Sequence, residues 1–121
     1  MPIQGIGTDM VEVARIEKLL QNKAKRFLEK VFTSAEIKEG ASANHYAKRF
    51  AAKEACLKAL GTGMREGLRW HDMEITNDAL GCPHLSLSGE ALRLTGTETP
   101  RIHVSLSDET HYALAFVIIE G

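Results

Sequence analysis

RFAAKEACLKALGTG, residues 49–63, is the stretch that decides how the chain folds. It predicts a long helix that begins near Ser42 or Asn44 and runs to Leu60, because Gly61 readily takes the left-handed conformation that ends helices. Alanine recurs at every fourth position of this helix and predicts a smooth face for close packing, formed by Ala47, Ala51, Ala55 and Ala59.

A glutamate and a lysine lie one turn apart on this helix, and two interpretations remain open. Glu54 and Lys58 share a side with Phe50 and Leu57, so we expect a half-buried carboxylate that needs a cation, supplied by Lys58 or by a metal. As an ordinary surface pair, the two residues are worth only ~0.3 to 0.5 kcal/mol of helix stability. From the spacing alone, we favour the surface pair.

Upstream, the pattern predicts a strand and two helices. IQGIG is a short opening strand, followed by a helix from about Val11 to Leu20 with Asp9 at the junction, where an acidic residue is most often a cap. TSAE has the spacing of a capping box and predicts a short helix that begins at Thr33 and ends by Gly40.

Downstream, the pattern is mostly that of strands. WHDMEITN and CPHLSLS alternate around the turn DALG, and a short helix is predicted between Ser88 and Gly96. His103 falls on the open face of the strand RIHVSLS, where a ligand contact and a surface histidine are equally compatible with the spacing. HYALAFVIIE is apolar on both faces, which predicts a central strand covered on each side. Early helices and late hairpins predict an α+β fold, one small domain over residues 1–121 with an antiparallel sheet of late strands.

The composition excludes several classes of protein. The 121 residues carry a net charge of −1, which gives no whole-molecule attraction to nucleic acid or to a membrane. Cys56 and Cys82 form no CxxC pair, and no apolar run approaches the ~20 residues of a membrane span. The N-terminus lacks the pattern of a signal peptide, so we expect a cytoplasmic protein with reduced thiols.

One segment is nevertheless strongly basic. Between residues 15 and 30, two glutamates accompany six basic residues, namely Arg15, Lys18, Lys23, Lys25, Arg26 and Lys30. The chain has few aromatic residues to stack bases and no nucleic-acid recognition motif, so an acidic protein is the better predicted partner. A solvated helix face explains the same pattern and stays open.

Three segments carry a resemblance to a known family: GIGTDMVEVARIE, KRFAAKEACLKALGTG and IHVSLSDETHYALAFVIIE. Together, and in this order, they resemble the holo-[acyl carrier protein] synthases, small bacterial 4′-phosphopantetheinyl transferases, over nearly the whole chain. The resemblance implies that coenzyme A donates phosphopantetheine to a serine of apo acyl carrier protein and that 3′,5′-ADP leaves. It therefore implies a role in fatty acid biosynthesis.

The resemblance also implies the catalytic residues. Asp9 and Glu54 would hold a Mg²⁺ ion, which prefers carboxylates and substrate phosphates as ligands. Lys58 would neutralise charge on the pyrophosphate as the bond to the leaving ADP breaks. The base that takes the serine proton is either Glu54 or a water bound to the ion, and the sequence does not separate them.

The remaining implied contacts concern the nucleotide, the carrier protein and other subunits. By similarity, coenzyme A would contact Arg49, Phe50, Lys58, Gly61, Pro83 and His103, whereas the carrier protein would contact Arg15, Arg26 and Phe27. The family is typically a homotrimer with active sites at the seams between subunits. Many relatives carry His where this chain has Asp108, so no catalytic role is placed there.

Two other functions stay open at this stage. One is a non-enzymatic adaptor that binds an acidic protein through the first helix, with Glu54 and Lys58 as a salt bridge. The other is a Mg²⁺-dependent hydrolase of nucleotide diphosphates that uses the same carboxylates.

Overall fold

The structure is a computed structural model that describes residues 2–121. Along these residues it contains, in chain order, β1 (Ile3–Glu12), α1 (Val13–Val31), α2 (Ala43–Leu60), β2 (Met73–Asn77), β3 (Pro83–Leu87), α3 (Gly89–Leu94), β4 (Arg101–Asp108) and β5 (Tyr112–Glu120). A short 3-10 turn, Trp70–Asp72, precedes β2. The α+β prediction is confirmed.

The first strand is longer than the predicted IQGIG and includes Asp9, so the prediction that Asp9 caps the first helix is wrong. Val11 and Glu12 pair with Ala113 and Tyr112 in the sheet, and this pairing delays the start of α1 to Val13. Glu12 occupies the cap position without a side-chain capping hydrogen bond.

The first helix also ends later than the predicted Leu20. It continues to Val31 across a kink at Lys23, whose backbone has φ −143° and ψ 42°. No glycine or proline lies between Leu20 and Val31 to stop it, and the burial of Val31 anchors its final turn.

Residues 33–40 form turns, so the prediction of a short helix there is wrong. The backbone N–H of Thr33 donates to Glu36 Oε1 at 2.9 Å, which is the local half of the predicted capping box. Glu36 is buried, and it also accepts hydrogen bonds from Lys53 Nζ at 2.7 Å and from the backbone N–H of Ile75 at 2.8 Å. These contacts with distant parts of the chain hold the segment as a turn.

The long central helix matches its prediction. The Ser42 hydroxyl accepts a hydrogen bond from the His45 N–H, and Gly61 ends α2 with φ 79°. The alanine face of α2 packs directly on β1: a Cβ on Gly7 would lie 1.9 Å from the Ala55 carbonyl oxygen, and one on Gly5 would lie 1.8 Å from that of Ala59. Glycine in β1 and alanine in α2 therefore permit an approach that larger residues would block.

The main sheet is antiparallel, with β5 between β1 and β4. One face of β5 is buried against α2 and carries Ala113, Ala115, Val117 and Ile119. The other face carries Leu114 and Phe116, which are 43% and 38% exposed. The prediction of a central strand is confirmed, but the prediction that both its faces are covered is wrong for the single chain, because helices pack on one face only.

Strands β2 and β3 form a separate two-stranded antiparallel hairpin. The predicted turn DALG joins them, with the Gly81 N–H donating to the Asp78 carbonyl at 2.9 Å. Within residues 2–121, none of the helices is both long and apolar enough to cross a membrane.

Candidate active site

Asp9 and Glu54 come from two elements that pack against each other, β1 and α2. Asp9 pairs with Ala115, which places it on the face of β1 that α2 covers, and its side chain is only 18% exposed. Glu54 is half-buried. Burial, followed by the negative charge of Asp9, raises the pKa of Glu54, while the positive charges of Arg15 and Lys58 oppose the rise. Two carboxylates that repel each other at a partly buried position form a candidate cation site.

Lys58 pairs with Asp9 and not with Glu54. Its Nζ lies 3.2 Å from Asp9 Oδ1 and donates to the Thr8 carbonyl at 2.9 Å. Among residues 2–121, no ion pair joins Glu54 to Lys58, so the surface-pair interpretation of these two residues is wrong. The lysine side chain is 57% exposed, so an anion in solvent can reach its ammonium group.

A cavity of about 580 Å³ lies beside this group. Its lining includes Glu54, Lys58 and Gly61, all predicted from the sequence. Trp70 and Met64 also line it, and sequence reasoning missed both. The alternation of WHDMEITN predicted a strand from Trp70, but residues Trp70–Asp72 form a 3-10 turn and the strand begins at Met73. The cavity therefore places the carboxylate of Glu54 and the ammonium group of Lys58 against one space that a ligand can enter.

Arg15, which the resemblance assigns to the carrier-protein contacts, also lies near Glu54 and Phe50. Its positive charge lowers the pKa of Glu54, and its guanidinium carbon lies 5.6 Å from the centre of the Phe50 ring. A cation over an aromatic face is held by the ring quadrupole. Arg15 thus connects the basic segment of α1 to the candidate active site.

Phe50 and Phe27 belong to an aromatic cluster in the interior. The Phe50 ring is 5.5 Å from that of Trp70 and 6.1 Å from that of Phe27. Phe50 is only 6% exposed, so a ligand could reach no more than the rim of its ring. Phe27 is half-buried, whereas Arg26 beside it is exposed. The predicted ligand contacts of the two phenylalanines stay predictions.

Arg49 lies in a second cavity, of about 210 Å³, with Lys38, His45, Thr76 and Asn77 in its lining. Its guanidinium donates to Asn77 Oδ1 at 2.7 Å and to the His45 carbonyl at 3.0 Å. Arg49 Nε is the only buried side-chain polar atom of residues 2–121 without a hydrogen-bond partner. Burial lowers the pKa of His45, and neighbouring cations lower it further, which keeps the imidazole neutral. The two cavities share no residue.

Pro83 and His103 lie outside both cavities. Pro83 pairs with Asn77 in the β2–β3 hairpin, next to the Arg49 side chain. His103 is on the exposed face of the main sheet, and its Nε2 is 2.5 Å from Glu120 Oε1, a contact that lowers the pKa of Glu120. Asn77 was missed because an asparagine at the end of a strand usually indicates a turn. The predicted site residues therefore form separate groups within one chain.

Comparison with known proteins gives one consistent result. The sequence profile of the 4′-phosphopantetheinyl transferase superfamily matches residues 5–117. A holo-[acyl-carrier-protein] synthase from Geobacter sulfurreducens is 46% identical over 123 residues, which cover 98% of each chain.

Solved structures agree with these sequence matches. The crystal structure of the holo-[acyl-carrier-protein] synthase from Neisseria meningitidis superposes with a TM-score of 0.86 and 39% identity, covering 99% of this chain and 100% of that one. The Helicobacter pylori enzyme, solved in complex with coenzyme A, superposes with a TM-score of 0.84 and 32% identity, covering 95% and 99% of the two chains. The chain therefore belongs to the 4′-phosphopantetheinyl transferase superfamily, among the holo-[acyl-carrier-protein] synthases.

Proposed function

We propose that this chain, as one domain over residues 1–121, transfers the 4′-phosphopantetheine group of coenzyme A to a serine of apo acyl carrier protein through a Mg²⁺ ion held by Asp9 and Glu54. The observation that carries the proposal is that Glu54 and Lys58 line one cavity while Asp9 pairs with Lys58 and its charge raises the pKa of Glu54. A role in fatty acid biosynthesis follows from this choice of carrier.

The two carboxylates suit a magnesium ion. Mg²⁺ prefers oxygen ligands and is commonly held by one or two carboxylates together with substrate phosphates. Burial and the Asp9 charge both disfavour the ionised form of Glu54, and a divalent cation would relieve both effects. When bound, the ion supplies positive charge to the pyrophosphate of coenzyme A.

The residues around the carboxylates have separate tasks. Lys58 would leave Asp9 and meet the pyrophosphate, where its charge stabilises the leaving 3′,5′-ADP. Gly61 leaves space for the phosphates, since nothing lies within 4 Å of the position its Cβ would take. Glu54 and a water held by the ion are the two candidate acceptors of the serine proton.

The nucleotide end of coenzyme A would contact a different group of residues. The cavity around Arg49 is basic, and its unpartnered Nε is a hydrogen-bond donor suited to the 3′-phosphate. Pro83 and His103 would border the nucleotide, with Phe50 contributing the rim of its ring. This group shares no cavity with Glu54 and Lys58, which supports a binding site completed by a neighbouring subunit.

The exposed face of the main sheet supports a homotrimer. It carries a set of large apolar side chains that are between 38% and 63% exposed, namely Ile6, Met10, Tyr112, Leu114 and Phe116. Contiguous apolar surface of this kind is typical of protein interfaces. A trimer that buries this face would place active sites at the seams between its subunits.

The acidic carrier protein would dock on α1. Arg26 is exposed there, and Arg15 links the helix to the carboxylates. Because the attraction is between charged surfaces, added salt should weaken the docking. Phe27, which is half-buried beside Arg26, would add an apolar contact through the exposed part of its ring. We place the reaction in the cytoplasm, among bacterial carrier proteins.

The direct experiment is mass spectrometry of apo carrier protein incubated with the chain, coenzyme A and Mg²⁺. We expect the carrier to gain one phosphopantetheine, and we expect Glu54→Ala to abolish the gain while the exposed Glu98→Ala leaves it unchanged. An unmodified carrier with the unaltered chain would indicate an adaptor. Cleavage of coenzyme A by water in the absence of carrier would indicate a hydrolase.

A further inference from the structure

A mixed group of potential metal-ligating side chains lies at the tip of the β2–β3 hairpin, and none of them lines the cavity beside Glu54. Asp78, Cys82 and His84 each offer one ligand atom, and these atoms all lie within 4.8 Å of one another. Among the side chains of residues 2–121, this is the only group of three such residues. All three are exposed, so a cation can reach them directly from solvent.

The hairpin holds the three residues together. Asp78 Oδ1 accepts hydrogen bonds from the backbone N–H groups of Leu80 and Cys82, both at 2.9 Å. The carboxylate also lies 3.1 Å from His84 Nε2 through its other oxygen, Oδ2. Asp78 is exposed, and an exposed aspartate is anionic at neutral pH. One negative charge, one imidazole and one thiol therefore converge on an ordered turn.

We propose that Asp78, Cys82 and His84 bind one Zn²⁺ ion. Thiolate, imidazole and carboxylate are the three ligand types that zinc takes in proteins, and three protein ligands leave a fourth position for water or another ligand. In a tetrahedral shell the ligand atoms are about 3.3 to 3.8 Å apart, so the exposed side chains need only a small rotation to close on the ion. Binding releases the thiol proton of Cys82, and the ion replaces the hydrogen bond between His84 Nε2 and Asp78 Oδ2, so the neutral imidazole carries its proton on Nδ1.

This site differs in chemistry from the proposed magnesium site. Asp9 and Glu54 offer only oxygen, which suits a hard cation, whereas Cys82 supplies the sulfur that Mg²⁺ does not select. The other cysteine of the chain, Cys56, does not contribute a metal–thiolate signal. Cys56 is buried in the core, and burial raises the pKa of its thiol to about 12, so it stays a protonated thiol. A metal–thiolate signal from this chain therefore reports Cys82.

The test uses Co²⁺ as a spectroscopic substitute for zinc, with excess Mg²⁺ present to fill the oxygen site. The thiols are kept reduced with a phosphine, and coenzyme A is omitted because its own thiol binds metals. We expect a near-ultraviolet sulfur-to-cobalt charge-transfer band that saturates at one ion per chain and disappears when Zn²⁺ is added. Since no coenzyme A or carrier protein is present, failure here does not bear on the proposed transfer reaction.

Substitutions in the β2–β3 hairpin test whether the charge-transfer band arises from this site. Cys82→Ser should abolish it, and His84→Gln or Asp78→Asn should weaken Zn²⁺ binding by at least about tenfold. Asp78→Asn keeps an oxygen that can accept the hydrogen bonds of the turn. It therefore tests the loss of the negative charge without loss of the turn. His111→Gln, at an exposed histidine outside the hairpin, should leave binding unchanged. Absence of the band, a band that needs two chains per ion, or equal Zn²⁺ affinity in Cys82→Ser would overturn the proposal.

Discussion

Glu54 is a half-buried carboxyl group whose ionised form is disfavoured in the folded chain. Its pKa is raised above 4.5, first by burial and then by Asp9. The folded state therefore binds this proton more tightly than the unfolded state. The contribution to stability is greatest below the unfolded pKa and is lost as the pH rises from there through the folded pKa. A group that weakens the fold at neutral pH is typical of a functional site.

The raised pKa of Glu54 leads to the first prediction. Without Mg²⁺, Glu54→Gln should melt at a higher temperature than the unaltered chain at about pH 7, and the difference should shrink as the pH falls towards about 3, where the carboxyl is mostly protonated in both states. Adding Mg²⁺ should raise the melting temperature of the unaltered chain alone. Thermal denaturation followed by circular dichroism measures both effects. A variant that is less stable at neutral pH would contradict the account.

Lys58 carries the second prediction. Its exposed ion pair with Asp9 is worth at most about 1 kcal/mol, so Lys58→Ala should change the melting temperature little. Loss of a charge that stabilises the leaving group should slow transfer by roughly 10²- to 10³-fold. Lys48→Ala, which removes a comparable ion pair with Asp108, is the matched control for stability. Parallel losses of activity and stability in Lys58→Ala would return the residue to a structural role.

At the scale of elements, local signals were predicted well and tertiary ones were not. The start and end of α2 were predicted because Ser42 and Gly61 act through their own backbone neighbours. The helix predicted over 33–40 failed because Glu36 is drawn into the core by Lys53, a partner 17 positions away that no local pattern reveals. Asp9, Glu54 and Lys58 were named through the resemblance, whereas Trp70 and Asn77 join the cavities only through folding.

The contact of β1 with α2 gives the third prediction. Gly7→Ala would place a methyl group 1.9 Å from the Ala55 carbonyl oxygen, so the strand and the helix must separate. Overpacking of this kind typically costs about 1 to 3 kcal/mol, and backbone atoms yield less readily than side chains. Urea unfolding should therefore show a clear loss in Gly7→Ala and almost none in Ser86→Ala, at an exposed strand position. Equal stability of Gly7→Ala and the unaltered chain would show that the elements are not closely packed.

For the whole molecule, the exposed apolar face of the sheet and the separate cavities point to assembly. The fourth prediction is that Phe116→Glu dissociates the proposed trimer and lowers transfer activity, because a charge at the centre of an apolar interface is left without a partner. Leu80→Glu makes the same change at a side chain that is 95% exposed outside the sheet and should leave assembly intact. Sedimentation velocity measures the assembly state of both variants, and the mass of the carrier protein measures transfer. A monomeric unaltered chain with full activity would contradict a site shared between subunits.

The proposed transfer reaction depends on one divalent ion shared by Asp9 and Glu54. The most direct measurement is an anomalous difference map from crystals grown with coenzyme A and Mn²⁺ in place of Mg²⁺. We predict a single strong peak about 2.0 to 2.6 Å from an oxygen of each carboxylate, with pyrophosphate oxygens completing the shell. A peak that contacts neither carboxylate, or two ions that each contact only one of them, would contradict the proposed mechanism.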